Sequence, residues 1–405
     1  MIDKKEYKER GIFMKYMSAK TAASKWKLTQ RTVQNYCRRG LIDGCLKFER
    51  SWMIPENARC PGRQEDKDDD AAAWEFENRI TNAFRFSIQN MSKVVDNVPE
   101  ADTQIFIRGM TAFFRGDFNA TLACCRQLKR NKKFFYGVKY AKAMLAIATG
   151  NYPAYQECLC EMESVESHVN IRTAKAVIQI AVLLTMFDTE GLPSWFREGD
   201  FRSVPHEMRN TCFQQYIRYL SLTEQNAKAD GIAMVWISMK DNADTCFTMD
   251  DIYLRLYLAV GCYRRNDLKK AEEWAAEALS YGIPSGILKP YAELSPQLGG
   301  IMEKCIKAAA PQMLKPFSRL CTEMKEGWKK FFKEFYRTEE TQTLTFDEFY
   351  AARLLQKGMS YKEIAAQMNL SQNKVSKMIA AIYEKQGVHK KSELSLLPAE
   401  KKNKK

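Results

Sequence analysis

Histidine is scarce in this chain: His168, His206 and His389 are scattered over 405 residues. None lies near another, so no zinc helix or finger is suggested. Cysteine is plentiful, at twelve, but no CxxC occurs, and the closest spacings are Cys124-Cys125 and Cys158-x-Cys160. That pattern speaks against a paired metal site or a disulfide framework. The thiols are expected as small apolar residues in helical cores. The sequence also lacks a GxxxxGK[ST] phosphate loop, an acyl-transfer elbow and suggestively paired carboxylates, so neither an enzyme nor a cofactor is expected. Long apolar runs are missing too. AVIQIAVLLTMF (176–187) is too short to cross a bilayer and contains Gln179. The opening MIDKKEYKERGIF is charged and has no apolar core, so a secretory signal is not expected. The reading that remains is a cytoplasmic chain with no membrane partner.

What the sequence does have is charge at its ends. Residues 1–63 carry 15 Lys and Arg against 6 Asp and Glu, and residues 341–405 carry 12 against 6. The formal net charge of the whole is +14, so the middle is close to neutral and the basic excess is terminal. Two separate basic segments suit a partner that is a polyanion. The acidic stretch PGRQEDKDDDAAA (61–73) has almost no apolar residues and reads as a linker.

Between the ends, helical periodicity dominates. FFRGDFNATLACCRQL and IATGNYPAYQECLCEM share a turn of Gly, an acid or amide, then an aromatic, with Gly116 and Gly150 34 residues apart. LAVGCYRRNDLKKAEEWAAEALSYGI returns to the theme, with Ala271, Ala275 and Ala278 small enough for two helices to approach closely. Residues 74–310 are therefore expected to form a tetratricopeptide-like helical-repeat domain, although the period is poorly kept between 150 and 266. Residues 253–306 also resemble the helical-repeat arm of large regulators of the maltose-regulator kind. From 311 to 340 follows a connecting helix. Its stripe of Leu320, Met324, Trp328, Phe331 and Phe335, opposite Lys325, Lys329 and Lys333, is expected to cap the array.

The segment LTFDEFYAARLLQKGMSYKEIAAQMNLSQNKVSKMIAAIYEKQGV (344–388) contains three helix starts. Thr345 with Glu348 and Ser360 with Glu363 form capping boxes, and Ser371 caps a third helix. Gly358 and Asn369 fall where a left-handed residue is wanted. Ala365, Leu370 and Val375 are spaced to pack two helices across a tight turn. The segment resembles the LuxR-type DNA-binding domain (341–398). It shares Leu344, Thr345 and Glu348; Gly358, Ser360, Lys362, Glu363, Ile364 and Ala365; and Ile382, Tyr383, Lys385, Gly387 and Val388. The resemblance implies that the third helix enters a major groove. Gln372, Asn373, Lys374, Ser376 and Lys377 would then meet bases and phosphates, Lys362 the backbone, and Val375, Met378, Ile379 and Ile382 the core.

At the other end, Ala23, Leu28 and Val33 repeat the same five-plus-five spacing, Thr29 stands at the cap position and Gly40 closes the second helix. LKFERSWMIP then alternates like a small β-hairpin, with Trp52 and Ile54 expected to cover the helices. Residues 14–60 resemble the winged helix-turn-helix of the excisionase and MerR-like group. Ala22, Ala23, Trp26, Arg31, Thr32, Val33, Gly40, Ile42, Gly44, Arg50, Trp52, Ile54 and Pro55 carry the likeness. The group often has glycine where Lys27 stands, and a left-handed lysine costs about 1 kcal/mol. The likeness implies Gln30, Arg31, Gln34, Asn35 and Arg38 in the groove, with Arg39, Lys47 and Arg50 on phosphates or the minor groove.

The expected fold is therefore mainly all-α, with helix-turn-helix domains at both ends flanking a helical-repeat body. The expected function is sequence-specific transcriptional regulation on double-stranded DNA. A protein, peptide or small-molecule effector is expected on the repeats, and a homodimer is left open. Two rivals stand beside this reading: an excisionase-like architectural DNA-binding factor, and a protein-interaction scaffold with one active DNA reader.

Overall fold

A computed structural model describes residues 16–38, 42, 45–48, 51–56, 58, 60, 95, 98, 100–129, 131–165, 169–241, 248–339 and 343–396. The chain divides into two units, Met1–Ala72 and Ala73–Lys405. The stretch expected as a linker, 61–73, lies outside the described residues, as do Arg39, Gly40, Gly44 and Arg50.

The small unit has its own core, formed by Met17, Ala22, Ala23, Trp26, Val33, Cys37, Ile42 and Ile54. Helix α1 (Ala19–Trp26) starts where the Ser18 hydroxyl accepts the Thr21 N–H at 3.0 Å. It stops at Lys27, whose φ of 53° and ψ of 43° are left-handed. Helix α2 (Gln30–Arg38) follows, with Thr29 accepting the Thr32 N–H at 3.1 Å. Three antiparallel strands complete the unit: β1 (Tyr16–Ser18), β2 (Leu46–Phe48) and β3 (Ser51–Pro55), in the order β1-β3-β2. The sequence suggested a two-stranded hairpin. The additional strand forms because Met17, buried, pairs with the fully buried Ile54 and so closes the sheet's inner edge. Trp52 is half-buried against the same core.

The large unit is built of helix pairs. They are α3 (Ala101–Arg115) with α4 (Phe118–Gln127), and α5 (Phe135–Thr149) with α6 (Tyr152–Glu163). Next come α7 (Val169–Thr185), then the short α8 (Ser194–Glu198), which packs on the helix after it, and the pair α9 (His206–Leu222) with α10 (Asn226–Asp241). The last pair is α11 (Met249–Arg264) with α12 (Leu268–Gly282). The recurring turn has one physical construction. Gly116, Gly150 and Asn266 take positive φ of 84°, 72° and 63°. The next residue then caps the following helix: Asp117 accepts from Ala120, Asn151 from Ala154 and Asp267 from Lys270. Among the described residues, α3, α5 and α7 begin at 101, 135 and 169, so the spacing persists past residue 150. It was hidden because α8 is short and the turn before it is made by Phe187 and Asp188 instead of glycine. Ala271, Ala275 and Ala278 are fully buried.

Helices α13 (Lys289–Leu294) and α14 (Ile301–Ala309) lead to α15 (Leu314–Tyr336). Helix α15 runs along α5. At the crossing, a Cβ on Gly327 would collide with the Ala148 carbonyl, so only glycine permits this approach. Leu320, Trp328 and Phe331 are buried as expected, but so are Phe317 and Phe332, and Lys325, Lys329 and Lys333 are half-buried. The helix is enclosed on more than one side. Among the described residues, three α-helices follow, α16 (Phe346–Gln356), α17 (Tyr361–Met368) and α18 (Gln372–Gln386), and then a 3-10 turn at Lys391–Glu393. Their apolar residues belong to the same continuous core as the repeats.

Candidate nucleic-acid interface

Both capping boxes of the C-terminal segment close. Thr345 accepts the Glu348 N–H at 3.2 Å while the Glu348 carboxylate accepts the Thr345 N–H at 2.8 Å. Ser360 and Glu363 do the same at 3.3 and 2.7 Å. Helix α17 ends at Asn369, left-handed at φ 52° and ψ 47°, and the Leu370 N–H returns to the Ala365 carbonyl at 2.9 Å. Ser371 then caps α18 through the Lys374 N–H at 3.2 Å.

The turn sets α18 so that Val375, Ile379 and Ile382 are fully buried and Met378 is half-buried. Gln372, Asn373, Lys374, Ser376 and Lys377 are all exposed, as is Lys362 on α17. Six polar side chains, three of them cationic, thus stand clear of the core on two adjoining helices. A row of amides, lysines and a hydroxyl can donate and accept hydrogen bonds along base edges and phosphates.

The turn of the small unit is built the same way. The Leu28 N–H returns to the Ala23 carbonyl at 2.9 Å across left-handed Lys27, matching Leu370, Ala365 and Asn369 in geometry. Gln30, Arg31, Asn35 and Arg38 are exposed on α2, and Gln34 is half-buried. Lys47 is exposed on β2, opposite Trp52 of β3. The roles suggested for Arg39 and Arg50 fall outside the described residues.

Sequence reasoning did not anticipate how firmly the C-terminal helices are held. Arg353 on α16 donates to the Phe187 carbonyl at 2.8 Å and stacks over the Phe187 ring at 5.5 Å. Lys357 pairs with Glu224 at 2.8 Å. Tyr263 donates to the Ala366 carbonyl at 2.9 Å, and Gln367 to the Gln297 carbonyl at 3.0 Å. Phe346 and Phe349 pack on Trp328, with ring centroids 5.2 and 5.1 Å away. A signal was there. Residues 346, 349, 350, 353 and 357 share one face of α16, and three are aromatic, more than a small domain needs for its own core.

Two helices across a left-handed turn, with a third before them and a polar outer face, define a helix-turn-helix DNA-binding domain. The profile of the family described as "Bacterial regulatory proteins, luxR family" matches residues 342–397. The chain thus carries a LuxR-family DNA-binding domain of transcription regulators at its C-terminal end. No curated protein and no solved structure matches the chain. Among the described residues, no helix is long and apolar enough to cross a membrane.

Proposed function

We propose that the chain is a cytoplasmic, sequence-specific transcription regulator with two DNA readers, 14–60 and 341–398, and a central helical body that senses an effector. One observation carries the first part: α18 buries Val375, Ile379 and Ile382 while Gln372, Asn373, Lys374, Ser376 and Lys377 stay exposed. The residues proposed to contact DNA at this end are those five with Lys362. At the other end they are Gln30, Arg31, Gln34, Asn35, Arg38, Arg39, Lys47 and Arg50. The matching turn geometry at Lys27 and Asn369 supports the second reader. Both basic ends would supply phosphate attraction, and the two recognition helices would supply base preference.

Selection of preferred DNA sequences by the full chain tests this directly. Two different sub-motifs are expected, because one reader has strands beside its helices and the other does not. Arg31→Ala or Arg38→Ala should relax only one sub-motif, and Asn373→Ala only the other. A base contact is worth about 1–3 kcal/mol. One uninterrupted motif that survives deletion of residues 1–63 would overturn the two-reader assignment and leave that unit as a protein-contact module.

A further inference from the structure

Two adjoining cavities lie inside the helical body and share Met144, Arg218, Lys289 and Glu293 as common wall. The larger leaves about 60 Å³ for the centres of water-sized molecules, room for more than one water at about 10–15 Å³ each. Its charged groups are not equally engaged. Lys289, 2% exposed, bonds to the Glu293 carboxylate and sits over the Phe113 ring at 4.3 Å. Glu293 also accepts the Tyr253 hydroxyl. Against its burial, the Glu293 carboxyl is held low by Lys289 and Arg218 together, so one carboxylate stands between two cations and a positive charge is left over.

Arg218 is different. Among the described residues its guanidinium reaches one neutral acceptor, the Thr185 hydroxyl, at 3.3 Å, and its buried Nε has no partner. One helical turn earlier, Gln215 is 5% exposed and donates to the Tyr140 hydroxyl at 3.4 Å. Its Oε1 is buried without a partner. Both side chains line the smaller cavity, and Arg218 reaches into both. A buried cationic donor with an unused N–H, beside an unused neutral acceptor, is costly unless something meets them. The adjoining lobe is mostly apolar, walled by Met144, Ile147, Phe187, Trp328 and Phe346, with Thr185, Gln297 and Lys325 also in its lining.

We propose that this cavity is the effector site of the regulator and takes a small 2-hydroxy monocarboxylate with an aromatic or branched aliphatic body. The inference rests on the sensor role proposed above and gives it a place and a ligand class. The carboxylate meets Arg218, the hydroxyl donates to Gln215 Oε1, and the apolar body enters the lobe, where Met144 and Met324 can shift to fit it. The lobe also explains how binding would be felt. Phe346 is the first residue of α16, the first helix of the LuxR-family domain. Trp328, which packs on it, donates its indole N–H at 3.0 Å to the carbonyl of Thr185, the residue that holds Arg218. Phe187, two residues on, is held left-handed at φ 59°, a strained state for a bulky residue, and its carbonyl receives Arg353. A ligand wedged here presses on the seam that fixes the DNA-binding helices.

The test uses the full chain, with 3-phenyllactate and 2-hydroxy-4-methylpentanoate each measured against its neutral amide by calorimetry and thermal unfolding. Saturable binding of at least one carboxylate is expected, with its amide at least about tenfold weaker, as loss of a charge-assisted contact implies. Arg218→Gln should weaken the carboxylate by about the same factor. Gln215→Glu, which sets a second carboxylate against the incoming one, should do so while keeping the side chain's shape. Equal binding of acid and amide, affinity unchanged in both variants, or no saturable binding by either acid overturns the proposal. DNA affinity is measured in the same samples and should change at least about fivefold with bound ligand, the scale of an ordinary coupling between two sites. DNA binding without acid binding sinks the cavity assignment alone, whereas acid binding by a chain that selects no DNA sequence sinks the regulator reading alone.

Discussion

Lys374 and Lys377 stand exposed on the outer face of α18, where a phosphate contact carries charge but little packing. Replacing both with alanine should weaken DNA binding and leave circular dichroism unchanged. Each lost phosphate contact lowers the slope of log affinity against log salt by about 0.9, so the pair should lower it by about 2. Equal slopes in the variant and the parent would remove α18 from the interface. Glu348 is bound more tightly. Burial alone would raise its carboxyl, but hydrogen bonds from Lys385 and Thr345 hold it below the usual carboxylate value. A group lowered in the folded state stabilises the fold above its unfolded value of about 4.3, and that contribution is lost as pH falls through the folded value. Glu348→Gln should therefore cost about 1–2 kcal/mol at neutral pH. It should also flatten the acid limb of a plot of unfolding midpoint against pH. A variant as acid-sensitive as the parent would mean that another carboxylate sets that limb.

Among elements, α5 and α15 cross with their backbones very close. Gly327→Ala puts a methyl against the Ala148 carbonyl, so the helices must separate. Overpacking of that kind costs about 1–3 kcal/mol. A lower unfolding midpoint is expected, together with faster proteolysis near 338–343, where α15 hands over to the DNA-binding helices. Unchanged stability would show that the crossing is soft. This crossing is also where the sequence stopped being readable. Caps and left-handed turns are local, so Thr345, Ser360, Asn369, Ser371, Gly116 and Gly150 could be assigned from their neighbours alone. A stripe on a helix gives the faces that are apolar and not their partner, so Trp328 and Phe331 marked a buried face without naming α5 as its neighbour. Strand β1 was missed because three residues hold too little alternation to register. The cavity polar groups were out of reach for a related reason: Arg218 and Lys289 meet only because helices far apart in sequence converge.

At the scale of the molecule, the C-terminal DNA-binding helices and the repeats form one body with a common core. Separated from the repeats, residues 341–398 would expose Phe346, Phe349 and Tyr350, so that fragment should be less soluble than its charge suggests, as a concentration series in light scattering would show. The seam itself is made largely to main chain. Arg353 bonds to the carbonyl of Phe187, Gln367 to that of Gln297, and Tyr263 to that of Ala366. At the turn, a Cβ on Gly300 would sit 2.5 Å from Asn369 Nδ2, so the body reaches the DNA-binding helices there as bare backbone as well. None of these contacts uses Gln372, Asn373, Lys374, Ser376 or Lys377. Address and wiring would then be written in different letters: on the proposed assignment, rewriting those five positions should retarget the protein while leaving its seam with the body as it is.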